Sequence, residues 1–184
     1  MYGTDEKTAI QKPLVNSCLR APTPPGNWAL TQSHRLFPNG DAAPLAQIDQ
    51  YLDDLNAFRD DAHIAAWQPN NVSGPAWEIF SAVWQDKVQD AADMAEKWAF
   101  RGHDEGVYTQ ALSDLIAKGW LAADGDGYAL TAEGTAVREA AETQTNRYFY
   151  LPWTAVNAAD TETLRNLLTE LDVQLKKQVE AIPA

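Results

Sequence analysis

Gly127-Tyr-Ala-Leu-Thr-Ala-Glu-Gly134 decides how this chain is read. Tyr128-Ala129-Leu130 is a short β-like stretch. Thr131 follows it with a hydroxyl suited to accept from a free amide in the first turn of a helix. Just upstream, Ala123-Asp-Gly-Asp-Gly127 offers aspartate and glycine, which tolerate the positive φ of a tight turn. Trp120-Leu121-Ala122 and Tyr128-Ala129-Leu130 therefore predict a β-hairpin. Thr131 then caps a helix that runs to about Arg147, rich in alanine and glutamate.

Three helices are predicted before the hairpin. One short helix carries Trp77, Ile79, Phe80 and Trp84, and a second spans Asp90 to Trp98 with Ala91, Met94, Ala95 and Trp98 at helical spacing. A third runs from about Asp104 to Lys118, burying Tyr108, Ala111, Leu112, Leu115 and Ile116, with Gly119 as its C′ residue. Trp77, Trp84, Trp98 and Trp120 all fall at core-type positions. Three helices, a hairpin and a further helix are the order of a winged helix-turn-helix.

At this point the chain resembles a known family. The stretch Ala76 to Trp153 looks like the winged-helix domains of the MarR-like superfamily. Val107 to Trp153 is similar to a group of bacterial proteins described as SalK-like helix-turn-helix proteins. The residues that carry this are Tyr108, Leu112, Leu115, Gly119-Trp120, Tyr128, Leu130-Thr131, Gly134, Arg138, Glu142, Thr145-Asn146 and Trp153. Such proteins tend to show an aspartate where this chain has Asn146. The resemblance covers the C-terminal half and implies a fold more than an activity.

The N-terminal half is read from its residues alone. Glu6 to Leu19 places Ile10, Leu14, Val15, Cys18 and Leu19 on one helical stripe, and Ala21-Pro-Thr-Pro-Pro-Gly-Asn27 stops it. Trp28-Ala29-Leu30-Thr31 echoes Tyr128-Ala129-Leu130-Thr131, which predicts a second, reduced wing. Asp41, with Pro44 in the first turn, opens a helix through Leu45, Ile48, Leu52, Leu55 and Phe58 that can continue past Ile64. Gln68 to Pro75 breaks it and marks a seam. After Leu151-Pro-Trp153, Asp160 is the predicted cap of a last helix whose Leu164, Leu168, Leu171, Leu175, Val179 and Ile182 form a narrow apolar seam.

The expected fold is therefore mainly α, with residues 1–40 as a reduced winged-helix-like segment and 41–68 as a connecting helix. Residues 74–153 form the winged helix-turn-helix with its small β-hairpin wing, and 158–184 a long C-terminal helix. That helix is expected to pair with a symmetry mate in a homodimer or to fold back on its own domain.

Composition narrows the functions. Among 184 residues, 26 acidic against 14 basic side chains leave a net charge of −12, which repels a phosphate backbone unless the cations cluster. Cys18 is the only cysteine, so an intrachain disulfide and any multi-cysteine metal site are excluded. The N-terminal stretch lacks an apolar signal core and no apolar run reaches bilayer length, so the expected setting is cytoplasmic, away from the membrane.

Two functional readings follow. In the first, Arg59, Asp60 and His63 lie within about one helical turn and face the seam with Trp67, Trp77 and Glu142, binding a protein or small molecule without catalysis. Arg59 can clamp Glu142 there. The blander account of the same residues is a solvated helix end with local ion pairs. Arg138, Glu142 and Thr145 share one helical face, where an i,i+4 pair stabilises a helix by a few tenths of a kcal/mol.

In the second, a dimeric transcription regulator reads DNA with Thr109, Gln110 and Ser113, flanked by Arg101 and Lys118. That reading needs Arg101, Lys118, Arg138, Arg147, Lys176 or Lys177 to gather on the DNA-facing side. Charge disfavours it, because Asp104, Glu105 and Asp114 lie beside the reading residues and Asp124 and Asp126 at the wing tip. His34, His63 and His103 sit in separate segments, so no metal, cofactor or catalytic residue is assigned.

Overall fold

The computed structural model describes residues 29–35 and 44–180. The predicted first helix, Cys18, the prolines that follow it, Trp28 and the Asp41 cap all lie outside the described residues. Two compact units are present. Unit 1 takes the described residues up to Ala62 and those from Asn146 onward, and unit 2 is His63–Thr145.

Among the described residues, unit 1 begins with α1 (Ala29–Arg35). Here the Ala29-Leu30-Thr31 echo is corrected: these residues are helical, whereas Ala129 and Leu130 are in a strand. The physical reason is local. A strand needs a partner, whereas the amides that open α1 have an acceptor waiting. Thr31 N–H donates to Asp61 Oδ2 at 2.7 Å and Leu30 N–H to Asp61 Oδ1 at 3.3 Å.

Asp61 belongs to α2 (Pro44–Trp67), which at 24 residues is roughly 36 Å long. Ile48 and Phe58 are buried on its apolar stripe. The helix ends where predicted, through a 3-10 turn at Gln68–Asn70 and a left-handed Asn71. Asn70 Nδ2 donates to Trp67 O at 2.9 Å and satisfies a terminal carbonyl.

Unit 2 supplies the winged-helix order. Helix α3 (Gly74–Trp84) is capped by Ser73 and α4 (Ala91–Lys97) by Asp90. Ala99–Arg101 and the left-handed Gly102 make the turn into α5 (Glu105–Ala117), capped by Asp104. Helix α5 closes in a Schellman motif: Trp120 N–H reaches Leu115 O at 3.0 Å and Gly119 N–H reaches Ile116 O at 2.8 Å. Gly119 has φ 77°, as its predicted C′ place requires.

Strands β1 (Leu121–Asp124) and β2 (Gly127–Leu130) then pair antiparallel, Leu121 opposite Leu130 and Asp124 opposite Gly127. The two-residue turn has Gly125 at φ 58° in its first central position, the place where a II′ hairpin wants glycine. Helix α6 (Ala132–Tyr150) follows, starting in unit 2 and ending in unit 1. Thr131 caps it as expected, its Oγ1 accepting from Gly134 N–H at 3.0 Å and donating to Gly119 O at 2.6 Å.

The unit 2 core is built from Ile79, Phe80, Met94, Tyr108, Leu112, Leu115 and Trp120, among others. Two expected core residues are corrected. Ile116 is exposed, because Tyr108, Ala111, Leu112 and Leu115 already define the buried stripe of α5. Trp84 is 39% exposed, since α3 ends there and the indole lies across Arg138 instead. In unit 1, Phe58, Ala62 and Leu164 form a smaller core with Phe149, Trp153 and Leu168 against it.

The last helix, α7 (Ala158–Glu180), is capped by Asn157 rather than by Asp160. Asn157 Oδ1 accepts from Asp160 N–H at 2.9 Å, and Asp160 Oδ2 accepts from Asn157 Nδ2 at 2.7 Å. Asp160 therefore complements the helix dipole from inside the first turn. Among the described residues no helix is long and apolar enough to cross a membrane.

Candidate helix-turn-helix face and aromatic cluster

Helices α4 and α5 are the helix-turn-helix pair, and Thr109, Gln110 and Ser113 are exposed on α5, as the sequence predicts. Their polar groups are already occupied in part. Gln110 Nε2 donates to Asp114 Oδ1 at 2.9 Å, and Ser113 Oγ donates to Thr109 O at 3.0 Å.

The cations near this face are also engaged. Arg101 Nε meets Glu78 Oε1 at 2.7 Å, and Lys118 Nζ lies 5.2 Å from the Trp120 ring centre and 3.5 Å from Asn70 O. Arg138 is 4% exposed, which removes it from any nucleic-acid surface. Residues 63–145 carry thirteen Asp and Glu against five Lys and Arg, and the wing tip shows Asp124 and Asp126 to solvent.

Glu78 does more than hold Arg101. Tyr108 Oη donates to Glu78 Oε2 at 3.0 Å, so one carboxylate ties α3 to both α5 and the turn before it. Burial of the phenol, reinforced by that hydrogen bond to Glu78, pushes Tyr108 up to about 12. His103 packs edge-on against the same ring at 5.9 Å.

The residues expected around the seam divide between the units. In unit 1, Arg59 Nη1 donates to Asn146 Oδ1 at 3.2 Å and its guanidinium lies 5.5 Å from the Phe149 ring centre. Asp60 is exposed, while its neighbour Asp61 is the buried cap of α1.

In unit 2, His63, Trp67 and Trp77 come together. Trp67 stacks on Trp77 with centroids 5.6 Å apart and planes 10° apart. Trp77 Nε1 donates to His63 Nε2 at 3.0 Å, which makes that nitrogen an acceptor and puts the imidazole proton on Nδ1. Nδ1–H then donates to Thr145 Oγ1 at 3.1 Å, and the Thr145 hydroxyl donates to Ala141 O at 2.8 Å.

Arg138 joins the same group. Its Nη1 meets Glu142 Oε2 at 3.1 Å, and its guanidinium lies 4.4 Å from the Trp84 ring centre and 5.6 Å from that of Trp77. The i,i+4 pair read as a helix-stabilising device is thus half interior. Thr145 is buried with Arg138, so their shared face is the inward side of α6. Sequence reasoning missed this arrangement and the Tyr108–Glu78–Arg101 link. A signal was present in the spacing: Trp77 and Trp84, like Arg138 and Thr145, are seven residues apart and share a helical face.

A model of a helix-turn-helix family matches residues 8–182. No curated protein matches the chain. Among solved structures, the chain is similar to the reduced form of MarR from E. coli at 18% identity and a TM-score of 0.49, over 71% of this chain and 95% of that one. It is similar to the oxidized form of the same protein at 18% identity and a TM-score of 0.47, over 71% and 96%.

Proposed function

Because the chain belongs to the helix-turn-helix family that spans residues 8–182, we propose that it is a non-catalytic winged-helix module that acts by binding a protein or a small ligand. Within that family its C-terminal half is assigned to the SalK-like group, on the residues quoted for that resemblance. One observation carries the binding reading. The solvent face of α5 and the wing tip are ringed by carboxylates, while Arg101 and Arg138 are spent on internal partners. Phosphate contacts supply most non-specific DNA affinity, and several are needed at once. The ligand-facing part of unit 2 is His63, Trp67, Trp77 and Glu142.

A dimeric DNA-binding regulator is the second reading, favoured by Thr109, Gln110 and Ser113 standing exposed where a recognition helix meets bases. Fluorescence anisotropy with pooled random duplexes, at low and at physiological salt, separates the two. The binding-module reading expects no saturable signal at physiological salt. Tight binding with a steep salt slope would sink it and make the regulator the function.

A further inference from the structure

Arg138 is an unusual interior cation. It is 4% exposed, yet among the described residues its charge meets a single carboxylate through a single nitrogen, Nη1 to Glu142 Oε2 at 3.1 Å. Its Nε is buried and has no hydrogen-bond partner among the described residues. A guanidinium offers five donors, and its Nε–H and one Nη2–H point side by side as a fork that matches the two oxygens of a carboxylate. Glu142 takes the nitrogen outside that fork. Buried donors of this kind are satisfied in nearly all folded proteins, so an unmet one calls for an acceptor, a role that a carboxylate oxygen fills.

We propose that unit 2 binds a small monocarboxylate on the Nε side of Arg138, with Trp77 as the fixed wall and Trp84 as the movable one. Trp77 cannot shift: it is 4% exposed, stacked on Trp67 and tied to His63. Trp84 can. It is the last residue of α3, is 39% exposed, and is followed by a turn with Asp86 at φ 55°. Its indole covers the guanidinium at 4.4 Å, so swinging it outward uncovers the fork.

The mouth is already part open, because the Glu142 side chain is 30% exposed. Glu142 also sets the ligand class. A dianion beside that carboxylate would be repelled more strongly than a planar monoanion, which lies flat between indole walls and engages both arms of the fork. The site deepens the binding reading, with which it shares Trp77 and Glu142, and stands whether or not DNA is bound, because it does not involve α5 or the wing.

The test titrates the full chain with sodium acetate against sodium chloride at equal ionic strength, read by indole fluorescence and by thermal melting. Acetate is expected to give a saturable signal and raise the melting temperature where chloride does not. Arg138→Lys keeps the charge but loses the fork and should weaken binding at least tenfold. Should that variant fail to fold, two others still decide. Trp84→Phe should abolish most of the fluorescence change while keeping the melting shift, and Glu142→Gln should tighten binding. Acetate indistinguishable from chloride in both the parent and Glu142→Gln would overturn the proposal. So would an undiminished response in folded Arg138→Lys, or phosphate or sulfate binding in preference to acetate.

Discussion

A methyl group at position 134 would meet the protein's own backbone. A Cβ on Gly134 would lie 2.0 Å from Trp120 O and 2.9 Å from its carbonyl carbon, because α6 crosses directly over the root of the wing. Neither side can yield cheaply, since Trp120 N–H and O are both committed, to Leu115 and Thr131. Gly134→Ala should therefore cost about 3 kcal/mol and lower Tm by about 6–12 °C. An unchanged melting curve would show that α6 can slide off the wing. Tyr108 gives a second measurement at this scale. The folded phenol holds its proton to about 12, while the unfolded one ionises near 10, so the unfolded chain loses that proton first. Stability from this residue is full below pH 10 and declines as pH rises through 12. Phenolate absorbance of the folded protein should show a late step from Tyr108, and Tyr108→Phe should remove it.

The elements were legible where their signals are local. The C-cap of α5 at Gly119, the aspartate-glycine turn and the Thr131 cap each depend on a few adjacent residues, and each was read correctly from them. The N-terminal echo failed for the complementary reason. Ala29-Leu30-Thr31 is helical because of an acceptor about thirty residues away, which no local window contains. The cap of α7 moved from Asp160 to Asn157 for a subtler cause: both side chains suit the role, and only the hydrogen bonds separate them. The candidate site was partly legible in the same sense. His63, Trp67 and Trp77, named together from the sequence, lie in contact in unit 2, but the burial of Arg138 is tertiary and an i,i+4 pair does not announce it. Replacing Asp61 with Asn tests the element-scale claim. The loss of its charge-assisted hydrogen bonds should cost about 2 kcal/mol. Amide exchange at Leu30 and Thr31 should accelerate, and unaltered protection there would show that α1 does not depend on Asp61.

At the scale of the whole molecule, α7 presents an apolar seam that runs on past the unit 1 core. Leu164 is buried and Leu168 packs on the unit 1 core, but the same seam continues through half-buried Leu171 to an exposed Leu175. Steps of four, three and four residues are those of a coiled-coil seam, the pattern from which pairing with a symmetry mate is predicted. The expected species in light scattering is a homodimer, and Leu175→Asp should convert it to monomer while leaving the melting of unit 2 in place. A monomeric parent protein would retire the idea.

Asp61 also bears on how far the protein can be shortened. A chain begun after Arg35 would still contain every element of the winged helix, and by sequence alone the cut looks harmless. It would nevertheless remove both amide donors and leave an anion in the interior of unit 1 with those acceptors unmet. The short leading helix is therefore a counterpart to a group inside the fold, and trimming it to simplify the protein would weaken what remains.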